Sequence, residues 1–450
     1  MASTSISRFP VEIGLNIFVL LFYGAPQFNF SAFVRTRRVA CNASSEWRRF
    51  ICAYPAFWQQ IYVDLFTPVE LITLYAIRAG AGSIDLCITI EFLKDYQLLN
   101  VKQDARRIAG RINLLRPLIS RAKTLLLQVD DRSAYNVILE LLPTIHTPLL
   151  QEVVIRYQFE RERWDYGVSQ HTSGWHGINT DNLTYVHLNN TLFPFPFLHG
   201  QPLAIRDLHI YNLGSGGALE AGVLRAIIHA APHLTSLVLV KVDCTNENQD
   251  IIISASIIHL HLEFKDGTEA SRLAAKFRFG ALNSLTLRVA SSHDVDGALR
   301  CESILSDVRH LTIHDEGRDV YTFGNLADKL TGVTHLDMSH SGATLDILTS
   351  HSSLNKARGR TTVFPSLQSV IVGGVTPEQL VRFCKLHGVG DDNGGQPVTL
   401  RVLTFVTERT PLNHHNHITW LSANMPSFVV ESTKSHRKAT EEANLRRVVR

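Results

Sequence analysis

Long apolar runs, paired cysteines and catalytic signatures are what this 450-residue chain lacks. No stretch approaches the roughly 18 apolar residues of a membrane span. The longest early run, Ile13–Tyr23, has Pro10 and Glu12 at its front edge, Asn16 within it and only Arg8 as positive charge before it, which argues against a secretory signal. The six cysteines (Cys41, Cys52, Cys87, Cys244, Cys301, Cys384) are scattered without a C-x-x-C pair, so neither a zinc ribbon nor a disulfide framework is expected. A reducing cytoplasmic or nuclear compartment fits them best.

Charge is sparse, 19% of residues, and its net value of +3 misleads. Six basic residues from Lys434 to Arg450, against Glu441 and Glu442, give the tail +4 and leave −1 for the rest. The broad basic surface of a nucleic-acid binder is missing. No nucleophile elbow, phosphate loop, H-E-x-x-H or dinucleotide fingerprint occurs, so no enzyme and no cofactor are expected. Gly214–Gly217 lacks the lysine of a phosphate loop and reads as a turn. His414-His415-Asn416-His417 has no nearby cysteine to complete a tetrahedral site, and no metal is expected there.

What is present is a recurring figure, Leu-x-x-Leu-x-Leu. Its clearest copy is Leu234/Leu237/Leu239. Before it stand Ala122/Leu125/Leu127, Leu150/Val153/Ile155, Leu183/Val186/Leu188 and Ile205/Leu208/Ile210. After it come Ile257/Leu260/Leu262, Leu282/Leu285/Leu287, Val308/Leu311/Ile313, Val333/Leu336/Met338, Leu367/Val370/Val372 and Leu400/Leu403/Phe405. Successive central residues are 28, 33, 22, 29, 23, 25, 26, 25, 34 and 33 apart. A period in this range marks a solenoid, in which stacked neighbours bury what one unit leaves open. Residues n and n+2 of a strand share a face, so both apolar positions point inward. Each unit resembles a leucine-rich repeat.

Helical segments fill the returns. Ala218–Ala230 sets Leu219, Val223 and Ile227 on one face. In Thr376–His387, Thr376 caps, Pro377 follows, Gln379 completes a capping box and Gly388 stops the helix. Such helices, and repeats well above 20 residues, argue against a parallel β-helix enzyme of the polysaccharide-lyase kind. Residues 156–180, rich in aromatics and charge, read as a long inserted loop.

Residues 1–64 differ in character. Pro10 opens a helix carrying Ile13, Ile17 and Leu20/Leu21, which Gly24-Ala-Pro26 stops. A second helix is expected over 33–45 and a third from about Glu46, ended by Pro55. Phe57-Trp58-x-x-Ile61-x-Val63 reads as an extended exit. Phe66-Thr-Pro-Val-Glu-Leu then suggests a helix capped by Thr67 with Pro68 first. Ile84/Leu86/Ile88 alternates as a strand, and 104–118 is helical up to a break at Pro117.

Phe9-Pro10-Val11-Glu12-Ile13 followed by Ile17-Phe18 resembles the opening of an F-box. Trp47-Arg48-Arg49 followed by Pro55-Ala56-Phe57-Trp58 resembles the close of fungal F-box-like proteins, and residues 79–88 resemble their next strand. Phe9 stands where the family has Leu, and Ser44 where it has Cys. The resemblance implies an α/β chain: a three-helix F-box-like module over 1–64, a linker and cap over 65–112, a leucine-rich-repeat solenoid over 113–410, and a cap with a basic tail over 411–450. It implies a substrate-recognition adaptor of a cullin–RING ubiquitin ligase. Phe9, Pro10, Ile13, Ile17 and Phe18 would dock the Skp-type subunit, and the arc would hold an unknown target protein. The alternative is an interaction scaffold whose F-box is degenerate and has no ligase role. Neither nucleic acid nor membrane is an expected partner.

Strand alternation then places a partner-binding face beside the buried anchors. It carries Tyr185, His187, Asn189, Asp207, His209, Tyr211, His259, His261, Glu263, Ser284, Thr286, Arg288, His310, Thr312, His314, His335, Asp337 and Ser339, including seven of the 21 histidines. Neighbouring strands run about 4.8 Å apart, so His310 and His335 should nearly touch. Protonation of these imidazoles between about pH 6 and 7 is expected to alter binding.

Overall fold

Eleven apolar triplets need neighbours to hide them, and the chain supplies those neighbours by stacking parallel strands. The computed structural model describes residues 13, 30–90, 101–130, 132–157, 178–179, 181–191, 202–211, 221–242, 252–263, 277–289, 305, 307–315, 327–339, 342–358, 363–390, 400–407 and 415–433. They fall into two compact units, Met1–Gly216 with Ala230–His233, and Gly217–His229 with Leu234–Arg450.

The first unit opens with α1 (Phe30–Ala43) and α2 (Ser45–Ala53), followed by a 3-10 turn over Pro55–Trp58. The helices expected over 33–45 and from Glu46 are therefore present. Ser44, at the position where the family has Cys, has a role of its own here: its hydroxyl accepts the Trp47 N–H at 3.1 Å and caps α2. Next come β1 (Gln60–Asp64), α3 (Val69–Arg78), β2 (Ile84–Ile90), α4 (Val101–Ile119), β3 (Ala122–Val129), α5 (Arg132–Leu141), β4 (Glu152–Tyr157), β5 (Tyr185–Asn189) and β6 (Asp207–Tyr211). The six strands pair in sequence order, each parallel to the next.

The second unit follows the same plan. It holds α6 (Ala221–Ala230), β7 (Ser236–Val240), β8 (Ile252–Ser254), β9 (His259–Glu263), β10 (Phe277–Phe279), β11 (Ser284–Val289), β12 (His310–Asp315) and β13 (His335–Met338). Then come α7 (Gly342–Ala357), β14 (Ser369–Gly373), α8 (Pro377–Leu386), β15 (Val402–Thr407), α9 (His415–Asn424) and β16 (Ser427–Ser432). Eight parallel strands stand in the order β7-β9-β11-β12-β13-β14-β15-β16, and β8 pairs with β10 in a separate small sheet. The fold class is α/β, with large parallel sheets and helical returns.

All eleven triplets are buried, and none of their residues exceeds 4% exposure. The register shows how. Leu237 pairs with Leu260, Leu260 with Leu285, Leu285 with Leu311, Leu311 with Leu336, Leu336 with Val370 and Val370 with Leu403. In the first unit Leu125, Val153, Val186 and Leu208 form the same row. Two residues before several of the central positions, one backbone carbonyl takes two N–H groups of the next repeat. Thr235 takes Ile258 and His259, Ile258 takes Asn283 and Ser284, and Asn283 takes Arg309 and His310. The repeat is thus one of hydrogen bonds as well as of leucines.

Four expectations need correction or extension. Thr67 does not cap α3: its hydroxyl donates to Asp64 Oδ1 at 2.7 Å and accepts the Asp64 N–H, closing the turn after β1, so Pro68 flanks the helix and Val69 begins it. Pro117 does not break α4, which runs on to Ile119. The missing N–H falls in the last turn, where buried Leu118 and Ile119 hold the helix against the sheet. The return helix expected over Ala218–Ala230 is described over Ala221–Ala230, where it buries Leu224, Ile227 and Ile228, and Ala218 and Leu219 lie outside the described residues. Finally, Ile61 and Val63 form β1, which pairs with β2 in the sheet.

The capping box at Thr376 and Gln379 is formed as expected, and Gly388 ends that helix with φ +79°. No described helix is long and apolar enough to cross a membrane.

Candidate partner-binding face

In each unit the strand residues between the buried anchors form a second face. On the first unit, β5 presents Tyr185, His187 and Asn189, and β6 presents Asp207, His209 and Tyr211, paired residue for residue. The His187 ring stacks on Tyr211 with centroids 4.8 Å apart and planes 18° apart. The His209 ring meets Tyr185 edge-on at 5.1 Å, with Nδ1 3.4 Å from the Tyr185 hydroxyl. These contacts, with the rest of the chain, shelter the rings. Tyr185 is buried, and its phenol is held above the usual tyrosine range, first by burial. His187 is pushed down to about 3, chiefly by burial and then by His209 and Arg156, and its buried Nε2 has no hydrogen-bond partner among the described residues.

The same row continues on β2, β3 and β4, strands expected from the sequence whose second-face residues are not among the expected site. Asp85 on β2, Thr124 on β3 and Glu152 on β4 lie in register with Tyr185 and Asp207. Burial raises the Asp85 and Glu152 carboxyls above the usual range, and Thr124 hydrogen-bonds to both. Taking the residue before each central position, as was done for β5 and β6, finds all three. The next row is apolar: Leu126 and Val154 are buried here too.

On the second unit, β9 carries His259, His261 and Glu263, and β11 carries Arg288 opposite Glu263. Glu263 is buried, not open. Its two oxygens lie 3.6 Å from Lys241 Nζ and 3.2 Å from Arg288 Nη1, so two half-exposed cations neutralise it. His261 is pushed down to about 4, first by burial and then by His314 and Arg288, and its Nε2 lacks a hydrogen-bond partner among the described residues. Burial thus holds His187 and His261 below the usual imidazole range, against the expectation that they charge between pH 6 and 7. His310 and His335 are exposed and pair across β12 and β13. Asp337 lies two residues along, its Oδ1 accepting the Ser339 N–H at 2.9 Å.

Among the adaptor-docking candidates only Ile13 is described; it is helical and 43% exposed. Phe9, Pro10, Ile17 and Phe18 lie outside the described residues, as do the basic tail from 434, Gly214–Gly217, His414 and most of the 156–180 insertion. His415 and His417 belong to the first turn of α9. Trp58 is a packing residue. It is buried, donates Nε1–H to the Ile51 carbonyl at 2.7 Å and has the guanidiniums of Arg37 and Arg78 over its ring, 4.2 and 4.4 Å from the centroid. No group of three or more His, Cys, Asp or Glu among the described residues is arranged to hold a metal ion.

No family model matches the chain, and no curated protein matches it.

Proposed function

We propose that this chain is a substrate-recognition adaptor of a cullin–RING ubiquitin ligase: an F-box-like N-terminal module docks the Skp-type subunit, and a leucine-rich-repeat solenoid holds the target. The observation that carries the reading is the in-register row of buried central residues, present in each unit and, in the first, continuing to β1 after the short helices α1 and α2. Parallel strands repeated at this period offer a broad ribbed face, which suits recognition of another protein by shape and side-chain pattern. Its described residues are polar and aromatic, with histidines, tyrosines and Glu263 paired to Lys241 and Arg288.

A second reading is favoured by Ser44 and Trp58. Both serve the chain's own packing, as a helix cap and a buried ring, at positions of the F-box resemblance. In that reading the chain is a leucine-rich-repeat scaffold with no ligase role.

Affinity capture of the tagged full chain separates the two. The adaptor reading expects the Skp-type subunit and a cullin among the recovered proteins, and their loss from a Pro10→Ala/Phe18→Ala variant that keeps its target. Recovery of targets without either ligase subunit supports the scaffold and removes the adaptor role.

A further inference from the structure

A cavity of about 220 Å³ in the first unit opens between α1 and the β1–α3 turn. Its walls include Arg35, Arg38, Tyr62, Asp64, Thr67 and Tyr75. Arg35 and Arg38 are three residues apart on α1 and therefore share a helix face. Arg37, between them in sequence, faces the other way. It is buried, donates to the Phe57 carbonyl at 3.1 Å, and lies over the Trp58 and Tyr75 rings. One arginine of the three thus builds the fold, and the other two line a space.

Neither Arg35 nor Arg38 makes an ion pair or a side-chain hydrogen bond among the described residues. The one carboxylate in the wall, Asp64, is already engaged: Oδ1 accepts the Phe66 N–H at 2.9 Å and the Thr67 hydroxyl at 2.7 Å. Two uncommitted guanidiniums at one concavity favour an anion. A singly charged carboxylate is matched by one fork-shaped guanidinium, whereas two forks match the three oxygens and near-double charge of a phosphate monoester. The size limits the rest of the ligand. The space is below the roughly 300–1,000 Å³ of drug-sized pockets, so it takes a phosphate with a small organic substituent against the tyrosines.

We propose that Arg35 and Arg38 form an oxyanion site, unrelated to the partner-binding face, that takes a phosphate monoester in the cavity between α1 and the β1–α3 turn.

Calorimetric titration of the purified full chain at pH 7.5 and fixed ionic strength tests this with phenyl phosphate and, separately, inorganic phosphate. Binding of phenyl phosphate should weaken at least tenfold in Arg35→Gln/Arg38→Gln. It should stay within twofold in Arg49→Gln/Arg106→Gln, which removes the same charge from exposed helical positions away from the cavity. Circular dichroism confirms that each variant is folded, and Arg38→Gln alone serves if the double variant is not. Tighter binding of phenyl phosphate than of inorganic phosphate upholds the monoester site, and equal binding of the two overturns it. No binding of either probe, or equal loss in both double variants, overturns it.

Discussion

His310 and His335 stack face to face across adjacent strands, their ring centroids 4.4 Å apart and their planes 21° apart. Both are exposed, so the contact is a surface cross-strand pair. A double-mutant cycle on His310→Ala and His335→Ala should return a coupling of about 0.5–1 kcal/mol at pH 8, by urea unfolding. Additive losses would mean that the rings do not support each other in solution.

Acid should destabilise the protein through His187 and His261. Their folded values, about 3 and about 4, lie below the ordinary 6.5. A depressed value gives stability that is present above the unfolded value and lost as pH falls through the window toward the folded one. Between pH 6.5 and 4 each ring should cost up to about 1.4 kcal/mol per pH unit. Urea unfolding across this window should show a flatter slope for His187→Gln and for His261→Gln. Unchanged slopes would show that these rings take up protons while folded.

Truncating a central residue should be costly, and truncating an outer-strand residue should not. Leu260 is 3% exposed and flanked by Leu237 and Leu285. Leu260→Ala is expected to lose about 2–5 kcal/mol in chemical denaturation. Val429 on β16 is 40% exposed, and Val429→Ala should stay within about 0.5 kcal/mol.

Gly373 ends β14 where an added methyl would overlap the Ser339 carbonyl, so the backbones of two neighbouring repeats of the second unit meet with no room for a side chain. Gly373→Ala should lower stability by about 1–3 kcal/mol, the usual cost of overpacking. A melting temperature equal to wild type would show that the strands part easily at that edge.

The triplets were legible because burial acts on each unit identically: every central leucine meets the same neighbours, so the same residue type recurs. Two strands carried the signal and were still missed. Trp58-x-x-Ile61-x-Val63 and Met425-x-x-Phe428-x-Val430 have the triplet spacing, yet the first follows helices and the second is half exposed at Val430. Alternation sets Glu263 and Tyr185 on the face beside the anchors as exposed residues, yet both are buried. Their burial depends on what covers that face, which spacing along one strand does not record. Arg35, Arg37 and Arg38 look alike in sequence; only the packing of α1 on Trp58 and Tyr75 tells the inward arginine from the two at the cavity.

The proposed ligase role is tested most directly by mixing the purified full chain with a purified Skp-type subunit and measuring mass by size-exclusion chromatography with light scattering. The account predicts a one-to-one complex that Pro10→Ala/Phe18→Ala abolishes. Separate elution of the two wild-type proteins at micromolar concentration would contradict it.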